Sequence, residues 1–173
     1  MALFRNVNVI LSNGQVVFSC GSGGTAAGLA IAMRLSGLKA HVHAVCVCDD
    51  PEYFYRHIEE VAGSLGINTN MFGPARSWLN IYDGTGIGYA SSTAEELQFI
   101  VDLATRTGVI LDPVYSGKGL YHFIRRVVVE HPGMLRPGEK VLFIHTGGIF
   151  GLYEKETQLL PLLPKNQVVP LNV

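Results

Sequence analysis

Hydrophobic positions follow two patterns along the chain, and the two patterns alternate. Short apolar runs predict buried strands over residues 16–20, 40–47, 109–114 and 140–145. Apolar residues spaced three or four apart predict amphipathic helices over residues 25–35, 51–65, 93–107 and 117–130. Strands that alternate with helices are typical of an α/β fold, in which helices cover both faces of a parallel sheet. We therefore predict that residues 1–173 form a single α/β domain.

Polar residues beside the apolar stripes predict where two of the helices begin. Asp50 precedes Pro51, which is the usual pairing of an N-cap residue with proline in the first helical turn. Ser92 or Thr93, followed three residues later by a glutamate, forms a capping-box pattern. Residues 68–88 show no period and are rich in Gly, Asn and Ser, so we predict a long loop there, with room for a short helix.

The first predicted strand runs directly into a glycine-rich segment, residues 21–25, which precedes a helix of small residues. Glycine lets backbone N–H groups approach a ligand closely. The start of a helix offers unpaired N–H groups and the positive end of the helix dipole. Ser22 and Thr25 add hydroxyl donors. This segment therefore predicts a cradle for a phosphate or another compact anion, and a tight turn without a ligand is the alternative.

Two further predicted strands end in small or hydroxyl-bearing residues. Tyr115-Ser116-Gly117 follows the third predicted strand, and Thr146-Gly147-Gly148 follows the fourth. Ligands of parallel sheets bind beyond the carboxyl ends of the strands. We expect these two segments and the glycine-rich segment to share one edge of the sheet and to form the site.

Composition and charge exclude several classes of protein. Hydrophobic residues make up 48% of the chain and charged residues 16%, so disorder is not expected. The formal net charge of −1 gives no reason to expect a nucleic-acid partner. No apolar run reaches the roughly 18 residues that a membrane span needs. The amino-terminal residues lack the apolar core of a secretory signal, so the predicted location is the cytosol.

The tract from His41 to Cys48 contains two histidines and two cysteines, which superficially suggests a metal site. Side chains of a strand alternate between its two faces, so His41 and His43 lie on one face and Cys46 and Cys48 on the other. Four ligands from one such strand cannot converge on a metal ion. We predict no metal site and inert, buried cysteines.

A dinucleotide-binding fold is one interpretation of the predicted site edge. Gly21-Ser22-Gly23 followed by Ala26 approximates the Rossmann pattern, and Asp49 after the second strand is placed to hold a ribose. However, glycine and serine fill four of the five positions from 21 to 25, so many spacings match by chance. Asp49 is equally suited to the start of the following helix.

Five motifs carry a second interpretation. In chain order, between about residues 17 and 154, they read CGSGGTAAGLA, VCVCDDPEYFY, GIGYASSTAEEL, GVILDPVYSGKG and VLFIHTGGIFGLYEK. Together they resemble the D-cysteine desulfhydrase and 1-aminocyclopropane-1-carboxylate (ACC) deaminase family, whose members are pyridoxal-phosphate enzymes with the tryptophan-synthase-β-like fold. The segments DPVYSGK and DDPEYFY resemble the desulfhydrases more closely than the deaminases. The deaminases typically have glutamate after the tyrosine of the first segment, where this chain has Ser116.

The resemblance implies a role for each segment of the site. The phosphate of pyridoxal 5'-phosphate (PLP) would be held by Gly21, Ser22, Gly23, Gly24 and Thr25. Tyr115 would stack near the cofactor ring and the substrate, and Tyr89 would lie close to the substrate. Ser116 or Thr146 would face the pyridine nitrogen, where a neutral hydroxyl favours elimination of a good leaving group over harder carbanion chemistry. Without the resemblance, Tyr115, Ser116 and Thr146 are equally well explained as a core aromatic, a helix cap and a turn residue.

The resemblance also predicts that a catalytic element is missing. In the family the Schiff-base lysine stands in an SGNK-type motif far upstream, and no such motif surrounds Lys39, Lys118, Lys140, Lys155 or Lys165. Lys118 adjoins the site segment, but a lysine at a helix start is usually solvated. We expect the chain to correspond to the C-terminal half of such an enzyme and to be inactive by itself.

An intact enzyme of this type would convert D-cysteine, a small amino acid, to pyruvate, hydrogen sulfide and ammonia. Half of a two-part cleft leaves apolar surface uncovered, so we expect a homo-oligomer or a partnership with an N-terminal segment. A non-catalytic module that binds PLP or another phosphate ligand is the alternative from a different functional class.

Overall fold

The computed structural model describes residues 14–67 and 69–164. Its four strands form one parallel sheet in the order β3-β2-β1-β4. They are β1 (Gln15–Cys20), β2 (His41–Cys46), β3 (Asn80–Asp83) and β4 (Val141–Ile144). Because β1 and β4 are parallel neighbours, their carboxyl ends open on the same edge of the sheet.

Six α-helices lie in the described residues. They are α1 (Gly24–Leu35), α2 (Pro51–Ser64), α3 (Thr69–Phe72), α4 (Ala94–Thr107), α5 (Ser116–Arg125) and α6 (Glu156–Leu159). Shorter 3₁₀ segments cover Ala75–Ser77, Ile149–Lys155 and Leu160–Leu162, and a π-helical turn covers Arg126–Glu130. The helices predicted over 25–35, 51–65 and 93–107 are confirmed, and the helix predicted over 117–130 ends in the π-helical turn.

The hydrophobic core divides between the two faces of the sheet. On one face, Val16, Phe18 and Ala44 pack with the small residues of α1 and with the apolar stripe of α2. On the other face, Val17 and Val45 pack against Phe123 of α5 and Val127 of the following turn. The α/β fold with helices on both faces of a parallel sheet is therefore confirmed.

Helices α2 and α4 begin with the predicted caps. Asp50 Oδ1 accepts a hydrogen bond of 2.9 Å from the Tyr53 N–H at the start of α2. At the start of α4, Thr93 Oγ1 accepts from the Glu96 N–H at 3.2 Å, and Glu96 Oε2 accepts from the Thr93 N–H at 2.7 Å. This reciprocal pair is a complete capping box.

Two sequence predictions about the sheet are wrong. Residues 109–114 do not form a strand, because Asp112 accepts backbone N–H groups from the turn that Pro113 begins. The loop predicted over 68–88 contains β3, whose residue Asn80 pairs in register with His43. Short strands with polar ends carry little hydrophobic pattern, so their pairing depends on the neighbouring strand.

His43 is a structural residue of the sheet. Its Nδ1 lies 3.0 Å from Tyr82 Oη and its Nε2 2.5 Å from Gln15 Oε1. Burial lowers the pKa of His43 to about 4, which keeps the ring neutral near pH 7.

Among residues 14–67 and 69–164, no three His, Cys, Asp or Glu side chains are grouped to hold a metal ion. The helices described there are also too short or too polar to cross a membrane.

Candidate functional site

The glycine-rich segment forms the turn between β1 and α1, and two of its glycines are required by close contacts. Gly23 is the N-cap of α1 with φ of 89°, a left-handed conformation that favours glycine. A Cβ at Gly23 would lie 2.5 Å from His57 Cδ2, and a Cβ at Gly21 would lie 2.6 Å from Tyr115 Cε1. The turn is therefore packed between His57 on one side and Tyr115 on the other.

The amino end of α1 presents backbone to solvent. Ser22, Gly24 and Thr25 are exposed, and the first turn of the helix carries no acidic residue. Within the described part of the chain, no side chain forms a hydrogen bond that caps this helix. Free N–H groups at the positive end of a helix, next to two hydroxyls, suit a phosphate.

Tyr115 reaches this edge although no strand precedes it. The Ser19 hydroxyl, on β1, donates a hydrogen bond of 2.9 Å to the Tyr115 carbonyl. Gly119, one turn into α5, packs directly against the Ser19 side chain, where a larger residue would not fit. The side chain and backbone of Tyr115 are thus fixed against β1 and the glycine-rich turn. Sequence reasoning missed Ser19, whose role depends on a contact across 96 positions of the chain.

Tyr89 and Tyr115 meet at this edge. Their hydroxyls are 2.6 Å apart, and their rings pack edge to face with centroids 6.1 Å apart. The hydrogen bond with Tyr89, together with partial burial, raises the pKa of Tyr115 to about 12. Both side chains remain partly exposed, so the phenol pair is accessible from solvent.

Ser116 lies beside the edge with its hydroxyl already engaged. It donates to Asp112 Oδ1 at 2.5 Å and accepts from the Asp112 N–H at 2.9 Å. Asp112 also accepts from the N–H groups of Val114, Tyr115 and Ser116, so this buried carboxylate holds the whole turn that presents Tyr115. Asp112 is thus a turn-forming carboxylate.

The segment after β4 closes the other side of the site. A Cβ at Gly148, which has φ of 101°, would lie 2.8 Å from Asp112 Cγ, so the 146–148 segment packs on the Asp112 turn. Thr146 is exposed, unlike Ser116. The three segments predicted to share an edge are therefore neighbours. The glycine-rich segment and residues 146–148 follow the parallel strands β1 and β4, and residues 115–117 are held beside them by contacts of Ser19 and Asp112.

Lys118 does not behave as the sequence analysis predicts. Its side chain is only 1% exposed rather than solvated, and its ammonium donates to three backbone carbonyls. Burial lowers the pKa of Lys118. The flanking Gly117 and Gly119 let the start of α5 pack closely on Asp112 and Ser19, where a Cβ would not fit.

The cysteines are placed as inert side chains. Cys20 and Cys46 are buried, and burial raises the pKa of Cys46 to about 12. Cys48 is partly buried and donates to the Gly21 carbonyl at 3.2 Å. Its thiol therefore supports the glycine-rich turn, a contact that sequence reasoning missed.

Comparison with known proteins shows the family of the chain. The sequence profile of the family described as "Pyridoxal-phosphate dependent enzyme" matches residues 7–147. The chain belongs to this family. Members of the family use pyridoxal 5'-phosphate, so PLP is the cofactor that the edge of this sheet must fit. The dinucleotide interpretation is set aside.

Individual relatives agree with the family. The chain is 46% identical over 149 residues to the mitochondrial bifunctional D-cysteine desulfhydrase/ACC deaminase of Arabidopsis thaliana, covering 86% of this chain and 36% of that protein. It is 32% identical over 156 residues to the D-cysteine desulfhydrase of Serratia proteamaculans, covering 88% and 44%. A crystal structure described as an ACC deaminase homologue matches with a TM-score of 0.71 and 32% identity, covering 88% of this chain and 45% of that one. The chain therefore spans less than half the length of these relatives.

The described residues fit PLP. The open amino end of α1 offers N–H donors and the positive end of the helix dipole, which would suit the cofactor's phosphate. The aromatic ring of Tyr115 borders the same turn, so it would be available to contact the cofactor ring.

Proposed function

We propose that this chain forms the phosphate-binding half of a PLP-dependent D-cysteine desulfhydrase-type lyase. The observation that carries the proposal is the open amino end of α1, flanked by Tyr115. The reaction of the intact enzyme would be D-cysteine and water to pyruvate, hydrogen sulfide and ammonia. Relatives named for D-cysteine desulfhydrase and ACC deaminase activity support this substrate class.

In the proposal, the cofactor's phosphate is held by Gly21, Ser22, Gly23, Gly24 and Thr25. Backbone N–H groups of this turn and the Ser22 and Thr25 hydroxyls donate to phosphate oxygens, and the helix dipole stabilises the negative charge. His57 and Tyr115 fix the conformation of the turn by close packing on Gly23 and Gly21. This pre-organisation reduces the entropy lost on binding.

The tyrosine pair orients the substrate and the cofactor ring. Tyr115 lies against the phosphate turn, so we assign it to the ring, and Tyr89 lies further toward solvent, so we assign it to the substrate. The phenol with a pKa of about 12 stays protonated near neutral pH and acts as a hydrogen-bond donor. Bound PLP supplies the electron sink for bond cleavage beside the amino-bearing carbon.

A hydroxyl rather than a carboxylate faces the pyridine nitrogen in this proposal. Ser116 Oγ is buried and hydrogen-bonded to Asp112, whereas Thr146 is exposed, which favours Thr146 of the two candidates. A neutral partner does not stabilise a protonated pyridine nitrogen, and this suits elimination of a good leaving group such as a thiolate.

We further propose that the chain alone binds PLP without turning over substrate. Lys118, the lysine beside the site segment, has all three ammonium hydrogens occupied by backbone carbonyls. A lysine in this state does not act as a nucleophile, because it would have to lose a proton and three hydrogen bonds.

Absorbance titration with PLP tests both proposals in the purified chain. We expect saturable binding that dialysis reverses and that borohydride does not fix to any lysine, together with no hydrogen sulfide from D-cysteine. Failure to bind PLP would contradict the assignment of the cradle. Robust release of hydrogen sulfide would contradict the proposed inactivity. The non-catalytic alternative also predicts PLP binding without turnover. Adding the lysine-bearing half of a relative distinguishes the two proposals, because activity would be restored only if the chain is part of a lyase.

We also propose that the chain self-associates or pairs with an N-terminal segment. Beside the 146–148 segment, Ile149, Phe150 and Tyr153 are exposed, with Phe150 80% accessible, and such apolar surface is typically covered by a partner. Light scattering at micromolar concentration checks this, and a monomer would contradict self-association.

The location in the cytosol stays a prediction, since the Arabidopsis relative is named mitochondrial.

A further inference from the structure

The ammonium of Lys118 is completely coordinated by protein backbone. Its Nζ donates to the carbonyls of Thr85 at 2.7 Å, Gly88 at 2.6 Å and Ser91 at 2.7 Å. A lysine ammonium has three donors, so these three acceptors satisfy it. A buried charge is unfavourable unless it is hydrogen-bonded in this way. The ammonium of Lys118 therefore occupies a specific position in the structure.

All three carbonyls belong to one loop, residues 85–91, between β3 and α4. The loop contains two glycines with positive φ and also Ala90, whose φ of 55° is unusual for a residue with a Cβ. Such a conformation is unfavourable and persists only where surrounding contacts hold it. The hydrogen bonds from Lys118 to both sides of Ala90 provide those contacts.

A buried carboxylate lies beside this ammonium. Glu96 is 3% exposed, and its Oε1 lies 2.7 Å from His122 Nε2 while its other oxygen completes the capping box of α4. Burial lowers the pKa of Lys118, the charge of Glu96 opposes this shift, and the charge of Lys155 adds to it. The ammonium is thus the junction of α5, the loop and the start of α4.

Tyr89 lies in the middle of this loop, and Tyr115 immediately precedes α5, the helix that carries Lys118. We propose that Lys118 is a positioning residue that fastens loop 85–91 to α5 and thereby places Tyr89 Oη against Tyr115 Oη. This positioning role of Lys118 does not depend on any reaction. Only its consequence for substrate binding rests on the proposed function.

The variant Lys118→Ala in the full chain tests the proposal, with the exposed Lys39→Ala as the matched control. Without the ammonium, the carbonyls lose their donor and the loop is released. We expect amide hydrogen exchange in residues 85–91 to rise by about tenfold or more. By NMR of ¹³C-labelled tyrosine, the pKa of Tyr115 should fall from about 12 toward its ordinary value, because the hydrogen bond with Tyr89 is lost.

Propylammonium reproduces the lysine side chain beyond Cβ, so it should restore both measurements in Lys118→Ala. Tetramethylammonium, a cation without N–H donors, should restore neither. A folded Lys118→Ala with unchanged loop exchange and unchanged tyrosine titration overturns the proposal. Rescue by both cations equally would also overturn it, since a specific hydrogen-bonded cation would then be unnecessary.

If Lys118→Ala does not fold, the wild-type chain decides the question. Labelling lysine with ¹⁵N should give one slowly exchanging ammonium signal with proton contacts to residues 85–91, and the absence of that signal overturns the proposal. These readouts need no cofactor. A chain that fails to bind PLP but keeps the protected ammonium would contradict the proposed function and leave the positioning role of Lys118 intact.

Discussion

The first turn of α4 is closed by its own side chains, whereas the first turn of α1 presents glycine backbone to solvent. Thr93 and Glu96 satisfy each other's N–H groups at the start of α4. Gly23 at the start of α1 makes no side-chain cap within the described residues and adopts a left-handed conformation. We therefore propose that the amino end of α4 serves stability and that the amino end of α1 serves a ligand.

The largest effect is expected at Gly23, where replacement destroys the conformation of the α1 end. Gly23→Ala places a Cβ 2.5 Å from His57 Cδ2 at a left-handed φ. We expect a loss of about 2–4 kcal/mol in the free energy of unfolding and at least about tenfold weaker PLP binding. Urea unfolding and PLP titration measure the two quantities.

Gly28→Ala is the matched control, because a Cβ there meets open space in the middle of α1. It should stabilise the chain by about 0.5–1 kcal/mol and leave PLP affinity unchanged. Equal stability of Gly23→Ala and the parent chain would show that the turn tolerates side chains and is not a tightly built cradle.

A smaller effect is expected at Ser22, which is exposed just before the N-cap of α1. A negative charge there should raise the stability of the chain and weaken PLP binding. Ser22→Asp places a carboxylate near the helix end, which should stabilise the chain by about 0.3–1 kcal/mol. The same charge repels a phosphate, so PLP should bind about tenfold more weakly. Ser22→Asn, which has the same shape without the charge, is the control. A PLP affinity that is identical in the Asp and Asn variants would argue against phosphate at this position.

The smallest effect on PLP binding is expected at the capped end of α4. Thr93→Ala removes the side-chain acceptor for the Glu96 N–H and should destabilise the chain by about 1 kcal/mol. PLP affinity should not change, and Thr93→Ser should retain the cap. Loss of PLP binding in Thr93→Ala, measured on folded chain, would show that the two helix ends are not independent.

The strand-turn-helix structure that carries the candidate phosphate site could be predicted from the sequence because it depends on local features. The strand that runs into residues 21–25 and the helix after it are adjacent in the chain, so pattern and turn chemistry suffice. The caps at Asp50 and Thr93 are equally local, and both are confirmed.

Other features could not be predicted because they depend on contacts between distant residues. Residues 109–114 have the apolar content of a strand, yet the Asp112 carboxylate takes the N–H groups of the following turn. Asn80 begins a strand only because β2 offers it an edge. Lys118 is buried because carbonyls about thirty positions earlier in the chain surround its ammonium, and no local pattern specifies that.

We propose that the amino end of α1, and not that of α4, binds the phosphate of PLP. NMR of the ¹⁵N-labelled chain, titrated separately with PLP, pyridoxal and inorganic phosphate, tests it most directly. We expect PLP and phosphate to shift the amide signals of residues 21–25 and pyridoxal to shift them far less. The amide signals of residues 94–96 should stay unchanged. Equal shifts from PLP and pyridoxal, or PLP shifts that leave residues 21–25 unaffected, would contradict it.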